Sequence, residues 1–316
     1  MKLPHFLRSG KNVKLFYFAT EMWRDLMPHM FFRKFESYLR EAQSRPDFDY
    51  IMERVHYYCR RPGAPLGDGT VRVCDLRRRD CSSTYYFDVK HALTPFAADT
   101  RINFLPGDIT YVPEVPSLTK SRPIEGDNAN SVILKMDRIR HFITAHDKVP
   151  FEAKADKAVF RGKVPGKEKR ERFFGMHFDN PICDSGDSDR HGRPEWRRPR
   201  MTIGEQLAYK FILSLEGNDV ASNLKWVMGS GSAAVMPVPE YETWFMEGRL
   251  VPGVHYIEIA RDFSDFTDVI NYYIQHPAET RAIIAAANEY CTQFADKRRE
   301  RLIEVLTAGA YLGLLK

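Results

Sequence analysis

Phe211-Ile212-Leu213-Ser214-Leu215-Glu216-Gly217-Asn218-Asp219-Val220-Ala221-Ser222-Asn223-Leu224-Lys225-Trp226-Val227-Met228 is the stretch that decides the fold. Its first five residues are an apolar run of strand length. Glu216-Gly217-Asn218 breaks the run, and 220–228 returns to an apolar pattern of helical spacing. A strand that turns through Gly into a helix is the unit of a parallel α/β sheet. In such sheets ligands bind beyond the carboxyl ends of the strands, and the free N–H groups of a helix N-terminus attract phosphate. Lys225 adds a positive charge to this helix. Glu216 and Asp219 oppose a diphosphate at close range, so Asp219 also reads as an N-cap and Glu216 as a partner for a sugar or ribose hydroxyl. The same stretch also reads as a purely structural turn.

Outward from this stretch the second half keeps alternating. Strands are expected at 157–160, 211–215, 233–236 and 255–259, and helices at 167–178, 203–209, 220–228, 264–276 and 278–306. A short aromatic helix is expected at 241–246, and 184–200 reads as loop. The first half is less regular. Residues 13–43 carry Trp23, Leu26, Met27, Met30, Phe31, Phe35, Tyr38 and Leu39 at helical spacing among basic residues, with Pro28 against a single unbroken helix. That segment fits either a core-packed helix or one lying on a membrane surface. A Pro/Gly loop covers 60–70, strand-like runs 84–89 and 101–105, a helix 128–140 and a linker 145–156.

Three further places carry chemistry. Val159-Phe160-Arg161-Gly162-Lys163 ends a strand at a Gly and is followed by Lys167, Lys169, Arg170 and Arg172. Guanidinium forks suit a diphosphate, although a charge run also reads as a solvated helix face. Asp108, in Pro106-Gly107-Asp108, is a carboxylate after a strand, which suits a general base or a simple turn. Asp187-Ser188-Asp189 has the spacing of a divalent-cation pair or of a solvated loop. His141 and His146 form no metal motif. No phosphate-binding P-loop, no G-x-G-x-x-G and no G-x-S-x-G occurs, which argues against phosphoryl transfer, nicotinamide chemistry and serine hydrolysis.

The totals agree. The chain has 316 residues, 43% of them hydrophobic, with 21 Phe and 15 Tyr, enough for two domains with real cores. A formal charge of +5 and a pI of about 8.8 suit anionic ligands or a membrane surface but fall short of a nucleic-acid-binding domain. Five scattered cysteines without a CxxC suit a reducing compartment rather than a disulfide framework or zinc site. Residues 1–10 lack the pattern of a signal peptide, and no apolar run is long enough to span a membrane, so a cytoplasmic location is expected, with any membrane contact peripheral.

The residues 211–232, with Met236-Pro237, Tyr241-Glu242-Thr243-Trp244-Phe245, Gly253-Val254-His255-Tyr256 and Asp262-Phe263-Ser264-Asp265, resemble the lipopolysaccharide-modifying and capsule-associated glycosyltransferases, the bacterial lipopolysaccharide A branch above all. That family includes the eukaryotic protein O-glucosyltransferases. Arg161-Gly162, Pro106-Gly107-Asp108 and Lys120-Ser121-Arg122-Pro123-Ile124-Glu125-Gly126-Asp127-Asn128 agree with the bacterial branch, and the similarity covers roughly 85–275. The resemblance implies an α/β protein of GT-B type: two Rossmann-like domains facing each other across a cleft. It implies an acceptor-side domain at 1–150, a nucleotide-sugar domain at 151–280, and a C-terminal helix, 281–316, that returns to the first domain. It further implies inverting transfer from a UDP-sugar to a saccharide or glycolipid hydroxyl, with no cofactor or metal. Asp108 matches the family base. Arg161, Gly162, Lys163 and Arg170 fall in the diphosphate loop, with Arg172 the alternative second cation. Glu216, Gly217, Asn218, Lys225 and Glu242 complete the donor set. Where the eukaryotic relatives carry Arg two residues before the helix Lys, this chain has Asn223. Two other readings stay open: a metal-dependent transferase using Asp187 and Asp189, and a non-catalytic basic protein that binds glycan or membrane.

Overall fold

The computed structural model describes residues 14–28 and 31–315. The expectations for residues 1–10 and for Met30 lie outside these described residues. The chain divides into two compact units. One, here called the sheet unit, holds Arg140–Pro239 and Gly248–Gln293; the other, the helical unit, holds the described residues up to Ile139, Glu240–Glu247, and those from Phe294 on.

The sheet unit is built on five parallel strands: β1 (Ala155–Gly162), β2 (Cys183–Asp187), β3 (Tyr209–Leu213), β4 (Ala233–Met236) and β5 (Ile257–Glu258). Their spatial order is β2-β1-β3-β4-β5. Ala158, Val159 and Phe160 are all buried although neighbouring side chains point to opposite faces, so the sheet is covered on both sides. One face packs Phe160, Phe211 and Val235 against Phe173 and Phe174 of the helix Glu168–His177 and Phe266 and Ile270 of the helix Phe266–Gln275. The chain runs from β1 to β2 on one side and then crosses to β3 on the other. That reversal puts the sheet's switch point between the carboxyl ends of β1 and β3, where α/β folds of this strand order bind ligands.

The helical unit packs the helix Lys297–Tyr311 against Phe35–Gln43, Phe48–Tyr58 and Ser83–Leu93. Its strands occur only as short pairs among the described residues, such as Ser117–Thr119 parallel to Ser131–Ile133. Tyr58 stacks on Trp244 at 4.1 Å, and the buried Arg54 meets Glu300 at 3.1 Å.

Several local expectations are corrected. The run 84–89 is part of the helix Ser83–Leu93: Tyr85, Val89, Ala92 and Leu93 are buried at helical spacing, and this packing overrides their β propensity. The helix expected at 128–140 is the strand Ser131–Ile133 followed by the short helix Arg138–His141. Part of the expected loop 184–200 is β2, in which Ser185 and Asp187 are buried and Asp184 is half-buried, both carboxylates having partners described below. The expected helix 241–246 opens instead with the strand Tyr241–Glu242, antiparallel to Arg122–Pro123. The long last helix breaks where Asp296 caps a new one, its Oδ1 accepting from the amides of Arg298 and Arg299 at 2.9 Å each. No described helix is long and apolar enough to cross a membrane.

Candidate active site

At the switch point Arg161, at the end of β1, and Arg170, on the helix Glu168–His177, have different fates. Arg161 is bound to the neighbouring strand: Nη2 donates to Asp184 Oδ1 and Nη1 to the Asp184 carbonyl, both at 2.6 Å. Its strand partner is Gly186, where a Cβ would lie 3.0 Å from Arg161 Nε, so glycine leaves the guanidinium its path. Tyr209 OH donates to the other oxygen of Asp184 at 2.6 Å. Burial works against ionisation of Asp184, but Tyr209 and Arg161 outweigh it and hold the carboxyl below its usual range. Burial and the bond to Asp184 push the Tyr209 phenol up to about 12. Asp184 therefore ties Arg161 of β1 and Tyr209 of β3 to β2.

Arg170 differs. Its Nη1 donates to the Lys163 carbonyl at 2.8 Å and its Nη2 to the Leu215 carbonyl at 2.9 Å, so it bridges the chain just beyond β1 and β3. The guanidinium lies 5.4 Å from the Phe160 ring. No carboxylate pairs with it among the described residues, and burial, with Arg140 nearby, pulls it down to about 10. Two glycines flank it: a Cβ on Gly217 would lie 3.2 Å from Nη2, and one on Gly162 3.7 Å from Nη1. A cation without an acidic partner at a switch point, with Gly217 leaving it room, has the chemistry to receive an anion with several oxygens.

The other members of the expected donor set are placed as follows. Lys163 Nζ lies 3.4 Å from Asp189 Oδ2. Glu216 accepts from Lys169 Nζ and Asn218 from Lys167 Nζ, so Lys169 offsets the charge of Glu216, one of the two acids that the sequence set against a diphosphate. Arg172 pairs with Glu168 on the helix surface at 3.0 Å, away from the Arg170 partners. Lys225 is buried within the helix Leu224–Met228. This helix corrects the expected phosphate site at a helix start near Asn218. It begins only at Leu224 and has five residues, too few for a useful dipole, and Asp219 is not its cap. Residues 217–219 instead close a turn, Gly217 N donating to the Asp219 carbonyl at 3.1 Å, and Asn223 Nδ2 donates to the Leu213 carbonyl at 2.9 Å. Asn223 thus closes the end of β3.

Asp187 and Asp189 are engaged with backbone amides. Asp187 Oδ1 accepts from Val164 N at 3.2 Å and Asp189 N at 2.9 Å, and Asp189 Oδ1 accepts from His191 N at 2.9 Å. Among the described residues no group of three or more His, Cys, Asp or Glu is arranged to hold a metal ion.

Asp108 and Glu242 belong to the helical unit. Asp108 follows Gly107, whose φ of 109° only glycine adopts without strain. Lys120 Nζ donates to Asp108 Oδ1 at 2.5 Å and Tyr85 OH to the same oxygen at 3.2 Å. Burial pushes the Tyr85 phenol up, so it stays protonated and acts as a donor. The carboxylate is partly exposed while Lys120 is buried, so the pair fixes its direction from below. Glu242 is fully buried: Oε1 accepts from Arg122 Nε at 2.7 Å and Oε2 from Tyr57 OH. Lys120 and Arg122 come from the one quoted Lys-Ser-Arg-Pro run. Its two cations within a short apolar stretch were the signal for both pairings, and the sequence did not name their partners.

A parallel α/β unit with a guanidinium free of carboxylates at its switch point has the arrangement of proteins that bind ligands there. The comparisons with known proteins make it specific. The family model of glycosyl transferase family 90 matches residues 128–298. The chain is 42% identical over 269 residues, 84% of its own length and 84% of the relative's, to O-glucosyltransferase LpsA of Dichelobacter nodosus. It is 30% identical over 100 residues, 31% of this chain and 9% of the relative, to the uncharacterized protein 035R of Invertebrate iridescent virus 3. The chain belongs to glycosyl transferase family 90 and is a glycosyltransferase. Arg170 and its surroundings lie inside the matched stretch; Asp108 precedes it.

Proposed function

We propose that the chain transfers glucose, or another hexose or pentose, from a UDP-sugar to a hydroxyl of a lipopolysaccharide or capsule saccharide, with inversion at the anomeric carbon. The acceptor oxygen attacks that carbon while its proton passes to Asp108. The bond from the carbon to the diphosphate oxygen breaks, and UDP leaves with its charge toward Arg170. Lys120 and Tyr85 hold Asp108 in line. The observation that carries the reading is Arg170, a partly buried guanidinium whose partners are carbonyls and a ring rather than a carboxylate. A diphosphate supplies the missing negative charge and accepts both arms of the fork. The glucosyl and lipopolysaccharide parts take their support from the relative named O-glucosyltransferase LpsA. The fold reading that goes with this is a GT-B transferase, the sheet unit serving the donor and the helical unit the acceptor. The working place is the cytoplasmic face of a bacterial inner membrane.

The test is a transfer assay over UDP-hexoses and UDP-pentoses with truncated lipopolysaccharide acceptors, read by UDP release and by NMR of the new linkage. Acceptor-dependent UDP release with an inverted anomer is expected. Retained configuration, or transfer only from a donor without a diphosphate, contradicts the reading.

A further inference from the structure

The helix Lys14–Leu26 is docked by its polar side. Tyr17 OH donates to Asp88 Oδ1 at 2.6 Å, and Glu21, itself buried, accepts from Arg138 Nη2 at 3.0 Å and pairs with Arg24. Asp88 in turn accepts from Arg138 Nε at 2.6 Å. All of these residues belong to the helical unit, so the ionic cluster fixes the rotation of the helix. The consequence is an inverted amphipathic helix. Leu15, Phe16, Met22, Trp23 and Leu26 project outward, with Leu26 80%, Leu15 74% and Trp23 70% exposed. Their spacing along 15, 22 and 26 and along 16 and 23 is that of one helical face. A soluble surface seldom leaves so continuous an apolar stripe uncovered.

Charge identifies what covers it. The first 40 residues hold eight Lys or Arg against three Asp or Glu, an excess equal to the +5 of the whole chain, so the remainder is balanced. An apolar helical face in a segment that holds all the excess positive charge matches an anionic lipid surface, where rings and aliphatic groups enter the headgroup boundary and cations meet phosphates. We infer that the face Leu15–Phe16–Met22–Trp23–Leu26 docks the enzyme on an anionic phospholipid bilayer. The inference is independent of the donor chemistry: loss of membrane binding leaves transfer to a short soluble acceptor intact, and loss of transfer leaves membrane binding intact.

Trp23 is a built-in reporter, because Trp196, Trp226 and Trp244 are buried. The full chain is mixed with phosphatidylcholine vesicles lacking phosphatidylglycerol or containing about one third of it. Co-sedimentation with the anionic vesicles is expected, with a blue shift of tryptophan emission, quenching by lipids brominated on the acyl chain, and at least about tenfold weakening at high salt. The variant L15E/L26E, at two exposed positions, is expected to lose at least about tenfold in vesicle affinity while its melting temperature stays unchanged. Failure to bind anionic vesicles, equal binding by the variant, or no quenching by brominated lipid overturns the inference. So does an emission already blue-shifted without vesicles, whether constant, as when another segment of the chain covers the face, or rising with protein concentration toward a doubled mass, as for a second copy.

Discussion

Replacing Arg170 by Met separates a ligand site from a structural one. Met keeps the unbranched aliphatic stem and removes the guanidinium, with its contact to the Phe160 ring. The variant loses hydrogen bonds to the Lys163 and Leu215 carbonyls, worth together about 2 kcal/mol. It also removes a cation held in poor solvation. A guanidinium pulled down to about 10 carries an unfavourable energy on the order of 3 kcal/mol, reduced to about 2 by its remaining access to water. The two nearly cancel, so the ligand-free enzyme should unfold within about 1 kcal/mol of the parent. Binding of UDP should suffer alone. Loss of a charge-assisted fork to the diphosphate costs about 1.5–3 kcal/mol, about tenfold to 150-fold in Kd. Calorimetric titration with UDP and a melting curve without it measure the two quantities on one preparation. Arg170→Lys, which keeps the charge and loses the fork, should fall between. Unchanged UDP affinity in Arg170→Met refutes the assignment, as does a large loss of stability in the ligand-free protein.

Other outcomes follow from the same geometry. Glu242→Ala leaves Arg122 buried without its carboxylate and should cost about 3–5 kcal/mol by urea denaturation; intact stability with weakened UDP binding would instead restore Glu242 to the donor set. His91 is held neutral, well below its ordinary 6.5, by burial and then by Arg301 and Arg138. The unfolded chain therefore binds the proton more readily, and stability is present above about 6.5 and falls as pH drops below it, by up to about 1.4 kcal/mol per unit. His91→Gln should flatten this fall between about pH 6.5 and 5, above the carboxylate range, and an unchanged slope would remove His91 as its source. EDTA should leave the transfer rate unchanged, since Oδ1 of Asp187 and of Asp189 accepts from backbone amides and Lys163 lies against Asp189 Oδ2; a loss that Mn²⁺ restores would support a metal role for them.

The sheet unit was legible because its signals are local. Apolar runs of strand length at 211–215 and 233–236, the first ended by Glu216-Gly217 and the second opened by Gly229 and Gly231, read as strands from their own residues. The run 84–89 was misread because its β-branched and aromatic residues are helical only through what they pack against. The site was legible as a neighbourhood and not as a set of roles. Arg161 and Arg170 look equivalent in the sequence; the difference is Asp184, 23 residues on and brought beside Arg161 by strand register. The helix start expected near Asn218 fails because the Asp219 carbonyl closes a turn on Gly217 and Asn223 satisfies the end of β3. Lys120 and Tyr85, which aim Asp108, come from distant segments, and periodicity carries no trace of such meetings.

The central claim is that Asp108 takes the proton of the attacking hydroxyl. It is tested most directly by Asp108→Asn, which keeps the size of the side chain and its acceptor oxygen for Lys120 and Tyr85. Measured with saturating UDP-glucose and a lipopolysaccharide acceptor, the variant should bind UDP as tightly as the parent and lose about 10²–10⁴ in transfer rate. A transfer rate close to that of the parent, with the same UDP affinity, would contradict the account.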